Sequence, residues 1–249
     1  MVPQLNPILS NAIGSFQPLH PSIINDAMAT ATANRPQAIQ SLIDGVERYN
    51  PDNVEILEDY LAQQCKNGEY DLMANLAVLK LYQFNPSLAK EPVIVNILVK
   101  ALTVVPAPDF NLCLYLLTEQ ATLESVQQLT VLQQLLEQSR YAKFWETYQG
   151  NETYKKLAAS VVGFEDAIRK MIGHVVAMSH QSISSSVLTS YLALSGAAFQ
   201  KFCEEHQWQE KDGVVSIPIN KDNEVKAVVV RETIKFEQLT KVIGYSNEM

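Results

Sequence analysis

The sequence predicts a mainly α-helical fold: an irregular helical-repeat (HEAT-like) array over residues 37–182, then a small α+β module of winged-helix order over residues 183–249, with an N-terminal arm before both, residues 1–36. Three observations predict it. Tyr70 to Pro86 (YDLMANLAVLKLYQFNP) is apolar nearly all the way round as a helix, because Asp71, Asn75, Lys80 and Gln83 do not share one stripe at 3.6 residues per turn. A helix of that kind is sandwiched between others or covered by a partner. From Ala38 onward, helical patterns follow one another at about 30 to 40 residues per pair without a recurring consensus, which argues for irregular repeats rather than tetratricopeptide units. After Ser182 the order becomes helix, helix, strand, strand, which is that of a winged helix.

Residues 1–36 hold one acid, Asp26, one base, Arg35, and prolines at 3, 7, 18, 21 and 36, interspersed with Leu5, Ile8, Leu9, Ile13, Phe16, Ile23 and Ile24. This is unlike a charged, disordered tail and reads as an irregular arm packed along the body, with a floppy extension as the alternative. Asn50-Pro51 reads as an N-cap with proline in the first turn. Val54, Leu57, Leu61 and Cys65 then recur on one face until Gly68 closes the helix. In the Tyr70 helix, Leu72, Leu76 and Leu79 are expected at the centre. The next helix starts near Pro92, carries Ile94, Leu98 and Leu102, and stops before Pro106; Asp109 is placed to cap its successor, through Leu112 and Leu116.

Val126, Leu129, Leu132 and Leu136 share one arc of a helix between Leu123 and Arg140. Phe144, Trp145 and Tyr148 make a short aromatic helix, read as inter-helix core, with a docking surface as the other option. From Phe164 to Ser182, Glu165 with Arg169 and Asp166 with Lys170 form two i,i+4 pairs on a solvated face, opposite Ile168, Ile172, Val175 and Val176. Ser184 to Leu194 and Gly196 to His206 are two short helices. Val214 to Ile219 and Val225 to Glu232 are strands around a polar loop, and Phe236, Leu239 and Ile243 mark a last helix.

Composition narrows the function. Hydrophobic residues are 47% of the 249, charged residues 18%, and the formal charge is −8, so no global basic field exists to hold a phosphate backbone. Low charge suggests surface covered by something else. No apolar run reaches the roughly 20 residues of a membrane helix, and the N-terminus lacks a basic signal region; the chain reads as soluble and intracellular. Cys65, Cys113 and Cys203 are odd in number and far apart, hence buried structural thiols rather than a disulfide or zinc set.

Asp44 to Pro51 (DGVERYNP), the Tyr70 segment, Lys100 to Cys113 (KALTVVPAPDFNLC) and Gly163 to Val176 (GFEDAIRKMIGHVV) together resemble the subunit k family of eukaryotic translation initiation factor 3. The resemblance runs from about Ala38 to the end. A helical array ending in a winged helix is also the layout of the PCI-like subunits of the proteasome lid and the signalosome, and the quoted segments single out the initiation factor. The resemblance implies a non-enzymatic, cytoplasmic scaffold subunit that pairs with subunit l and helps shape the complex that engages the small ribosomal subunit.

The residues agree with a scaffold. His20, His174, His180 and His206 form no HExxH or i,i+4 pair, and His174 reads as a satisfied structural histidine. No glycine pattern forms a phosphate loop, and no catalytic residue, cofactor or metal is expected. A winged helix that binds nucleic acid is the competing class, but Gly196 to His206 carries Glu204 and Glu205 beside Lys201, and residues 180–249 hold 7 bases against 9 acids. Acids there repel phosphate, so sequence-specific nucleic-acid binding is not expected. The expected partner surface is Val214, Val228, Val230, Phe236, Leu239 and Tyr245, a sheet edge plus a C-terminal amphipathic helix.

Overall fold

The computed structural model describes residues 35–225, 239–240 and 243–244. Eleven α-helices and three short strands lie among them. The first five are α1 (Gln37–Asp44), α2 (Val54–Asn67), α3 (Leu72–Phe84), α4 (Glu91–Leu102) and α5 (Asp109–Leu116). They are followed by α6 (Glu124–Glu137), α7 (Tyr141–Gly150), α8 (Glu152–Ala158) and α9 (Phe164–Ser179). Then come β1 (Ser182–Ser184), α10 (Ser185–Leu192), α11 (Gly196–Glu205), β2 (Gln209–Lys211) and β3 (Val214–Ser216).

Local signals explain most boundaries. Asn50 Oδ1 accepts from the Asp52 N–H at 3.1 Å, Pro51 opens a 3₁₀ turn, and α2 runs from Val54 until Gly68, whose φ of 73° is the left-handed conformation that costs glycine least. Val54, Leu57, Leu61 and Cys65 are all buried on the face expected for them. The Val126, Leu129, Leu132 and Leu136 arc of α6 is buried likewise.

Helices contact their second neighbours as well as their nearest ones. α2, α4 and α6 pack in sequence on one side, α3 and α5 on the other. α4 is the centre, touching α2, α3, α5, α6, α8 and α9, and Ile94, Val95 and every residue from Ile97 to Leu102 are buried. The most enclosed helix is therefore α4. In α3, Leu79 is 0% exposed and Val78, Leu81 and Tyr82 are buried, whereas Leu72 and Leu76 are only half-buried, contrary to the central place expected for them.

The polar residues of α3 fail to line up because they serve two environments. Asp71 and Asn75 point inward. Asp71 caps α3 through the Ala74 N–H at 3.2 Å and takes the Arg35 guanidinium as a fork, Nε at 2.5 Å and Nη2 at 2.7 Å. Gln64 on α2 donates to Asn75 Oδ1 at 3.1 Å and accepts from the Asp71 N–H at 2.8 Å, so Gln64, Asp71 and Asn75 all have partners. Burial and the neighbouring Asp71 carboxylate push the Tyr60 phenol, which donates to Asp71 at 3.3 Å, up to about 12. Lys80 and Gln83 face outward and hydrogen-bond each other at 2.8 Å.

Two expected details are corrected. Asp109 makes no helix cap; its buried carboxyl accepts from Tyr70 at 2.8 Å, and burial raises its pKa. Of the α9 ion pairs, Glu165–Arg169 forms at 2.8 Å, but Asp166 also turns to Arg169, at 2.9 Å, because the guanidinium fork can serve two carboxylates. The aromatic cluster is core, with Phe144, Trp145 and Tyr148 all buried, and the docking option for it fails. Trp145 Nε1 donates to the Tyr191 carbonyl at 2.8 Å, tying α7 to α10.

The sheet has the order β1-β3-β2, antiparallel throughout. β2 and β3 are joined by Asp212 and Gly213, with φ of 51° and 78°, a two-residue turn of the kind whose twist suits a hairpin. The strand expected over Val214 to Ile219 is confined to Val214–Ser216, and β1 and β2 are additional strands formed by pairing with it. Val225 to Glu232 lies outside the described residues apart from Val225 itself, which belongs to no element. Residues 239–240 and 243–244 are helical.

α9 holds the sheet module. Asn220 Nδ2 donates to the Ala177 carbonyl at 2.8 Å, and Asn223 Nδ2 lies within 3.0 Å of Ala177 O and 3.1 Å of His180 O, so the polar loop satisfies carbonyls left open at the C-terminus of α9. Gly173, on the same helix, is where α11 approaches. A Cβ there would sit 2.8 Å from Cζ of Phe202, whose ring is stacked on His206 with centroids 4.1 Å apart. Gly173→Ala gains about 1 kcal/mol of helix propensity but overpacks this seam at a cost of about 1 to 3 kcal/mol. A lower melting temperature is expected, and recovery when Phe202→Leu is added; a rise with Gly173→Ala alone would show that the ring yields freely.

Candidate protein-interaction surface

The sheet module presents apolar side chains to solvent at its outer rim. Val214 is 43% exposed, Ile219 71% and Val225 85%. Val214 stands on β3 opposite Ser184 and Lys211, while the alternate residue Val215 turns inward and is fully buried. Leu239 is 43% exposed. Val228, Val230, Phe236 and Tyr245 lie outside the described residues, so only Val214 and Leu239 of the expected set are placed.

β3 is the middle strand, with ladder bonds on both sides, and offers no free edge. The edges among the described strands are β1 and β2. β2 is exposed along its length and carries Glu210 and Lys211, charges of the kind that discourage indiscriminate strand pairing. The Asp212-Gly213 dipeptide was a legible hairpin signal for β2, whereas Ser182–Ser184 carries a single apolar residue, Ile183, and gives the eye nothing to find.

Charge on this module is set by carboxylates. On α11 and the following hairpin and loop, Lys201, Lys211 and Lys221 face Glu204, Glu205, Glu210, Asp212, Asp222 and Glu224. Lys201 is in addition 3.7 Å from Glu205. A phosphate backbone meets net repulsion there, which disfavours the nucleic-acid reading.

The thiols are not set up as nucleophiles. Cys65, Cys113 and Cys203 are free and buried as expected, and burial pushes all three thiols up, Cys113 to about 12, away from the thiolate form a nucleophile needs. His174, read from the sequence as a satisfied structural histidine, is exposed and lines an open cleft of about 340 Å³ with Lys170, His206 and Asn220. Among the described residues no group of three or more His, Cys, Asp or Glu could hold a metal, and no helix is long and apolar enough to cross a membrane.

Comparison with known proteins decides the family. The CSN8/PSMD8/EIF3K family model matches residues 88–229. The chain belongs to that family. It is 42% identical over 233 residues to a protein of Botryotinia fuckeliana named eukaryotic translation initiation factor 3 subunit K, covering 86% of this chain and 95% of that one. Proteins of the same name from Sclerotinia sclerotiorum, 43% identical over 232 residues, and Mycosarcoma maydis, 39% over 261, are covered to 95% and 92% of their length and cover 86% and 85% of this chain. In the CSN8/PSMD8/EIF3K family the matched span begins at the 3₁₀ turn before α4 and takes in every later element described as far as β3.

Proposed function

We propose that this chain is a non-catalytic structural subunit of eukaryotic translation initiation factor 3. It acts in the cytoplasm through protein interfaces, supporting assembly of the factor and its engagement of the small ribosomal subunit during initiation. The observation that carries the reading is 42% identity across most of the chain to a relative named as subunit K of that factor. Raised thiol pKa values and a carboxylate-rich α11 are what a protein-docking module tolerates and a nucleophile or a phosphate-binding helix does not.

In this reading, residues 37–182 form a HEAT-like array, supported by the second-neighbour packing of α2, α4 and α6 against α3 and α5. Residues 183–249 form a winged helix, supported by the succession α10, α11, β2, β3 with β1 completing the sheet. The neighbouring subunit, subunit l in the family resemblance, meets residues from about Val214 to Tyr245. Val214, Val228, Val230, Phe236, Leu239 and Tyr245 form the contact, the helical array adding secondary ones. Apolar side chains carry it rather than the backbone of β3, which is already paired on both sides.

The test is affinity purification of the tagged chain from its own cells. Stoichiometric recovery of the initiation factor is expected. Deleting Phe236 to Met249, or placing aspartate at Val228 and Val230, should release the chain while circular dichroism stays largely unchanged. Undiminished co-purification of a folded variant would move the interface to the helical array.

A further inference from the structure

An apolar face runs along the outside of the first helices, distinct from the sheet module. On α3, Met73 is 40% and Phe84 58% exposed, and with half-buried Leu76 they repeat at the spacing of one helical face. α5 lies beside α3, both backed by α4, and turns Leu112 and Tyr115 to solvent, Tyr115 at 66%. On the other flank, the 3₁₀ turn Val46–Tyr49 sets Tyr49 against Phe84, ring centroids 6.2 Å apart. The only charge on the α3 stripe, Lys80, is turned onto the Phe84 ring at 4.9 Å and bonded to Gln83.

The chain enters this face at one end. Arg35 is locked to Asp71, the cap of α3, with both side chains almost wholly buried, at 3% and 2% exposure. The arm expected over residues 1–36 lies outside the described residues except for Arg35 and Pro36, and Arg35, its last cation, is thus fixed two residues from Met73 through Asp71. The 34 residues before Arg35 contain no lysine or arginine and a single acid, Asp26, and they hold three leucines, four isoleucines and one phenylalanine. α3 is about 20 Å long at 1.5 Å per residue, a distance that fewer than ten extended residues cover at roughly 3.3 Å each. An apolar segment with one acid, tethered beside an apolar face whose one α3 charge is Lys80, also has an effective concentration that a free partner does not reach.

We propose that residues 1–34 fold back along this face and cover Met73, Leu76, Phe84, Leu112 and Tyr115. The arm closes the outward side of α3, which explains why the sequence of that helix is apolar nearly all round, and it leaves partner contacts to the sheet module at the other end of the chain. The cation-flanked aromatic pair Tyr49 and Phe84 is then part of an internal seam rather than a stacking platform for nucleic acid.

The experiment uses the full chain, with a nitroxide attached through Ser10→Cys and carbon-13 in the methionine methyls; the native thiols are buried and do not compete for the label. Paramagnetic broadening of Met73 is expected, with Met171, buried in α9, unaffected. Adding Phe84→Glu and Tyr115→Glu, two exposed positions, should abolish the broadening. In the unlabelled chain, the same pair should speed chymotrypsin cleavage at Leu5, Leu9 or Phe16 by about tenfold, the loss expected from weakening apolar burial. An unaffected Met73 signal overturns the proposal. So does broadening that arises only between nitroxide-labelled and isotope-labelled chains mixed together, which would make the occupant a second copy.

Discussion

Asp71→Ala will lower stability by about 3 to 5 kcal/mol, because it strands the Arg35 guanidinium in a site 3% exposed and leaves α3 without its cap. That is a large share of the roughly 5 to 15 kcal/mol that holds a typical domain together. The attraction within the pair is not what is lost. A buried ion pair roughly offsets its own desolvation, and the damage comes from removing one partner. The double variant Arg35→Met, Asp71→Leu should therefore recover most of the loss. Urea unfolding of the two variants and the parent at neutral pH measures both quantities; a single-variant loss under about 1 kcal/mol would mean that Arg35 swings out to water at little cost.

Leu79→Ala is expected to cost about 2 to 5 kcal/mol, the range for a fully enclosed leucine whose cavity the surroundings only partly fill. Leu79 is 0% exposed between α3 and its neighbours. Leu76→Ala, on the half-buried stripe, should cost about 1 kcal/mol, since much of that side chain already meets solvent or a removable cover. The comparison is informative because the two leucines lie less than one turn apart with the same propensity. Equal losses would show that the outer face is as tightly enclosed as the inner one, which is the outcome expected if the N-terminal arm packs as densely as a core helix.

Helix positions were legible wherever a turn signal and a periodic face coincided. Asn50-Pro51, Gly68 and the Val126, Leu129, Leu132, Leu136 arc each mark local backbone preferences and a single buried side, and both are properties of short stretches of chain. The strands were harder to see. Ser182–Ser184 has one apolar residue in three, and Gln209–Lys211 has none; they are strands because β3 lies between them and bonds to both. The candidate interface was legible as apolar content but not as geometry. Val214 and Val215 are adjacent valines, and only the pairing register sends Val215 inward and Val214 to solvent.

What the sequence by itself determined is the helical class, most helix boundaries, the aromatic and thiol core, the lack of a basic docking helix and the family, since these follow from periodicity, capping, composition and ordered matching segments. What only the tertiary structure decided is which surface each ambiguous residue meets. Asp71 and Asn75 are inside because Arg35, Tyr60 and Gln64 arrive from other helices to satisfy them, Asp109 bonds Tyr70 instead of capping its own helix, and one stripe of α3 stays uncovered by any described residue. The reason is physical. A helix wheel records which side chains share a face, but whether a polar group can be buried depends on partners brought from distant parts of the chain, and those are supplied only when the helices pack.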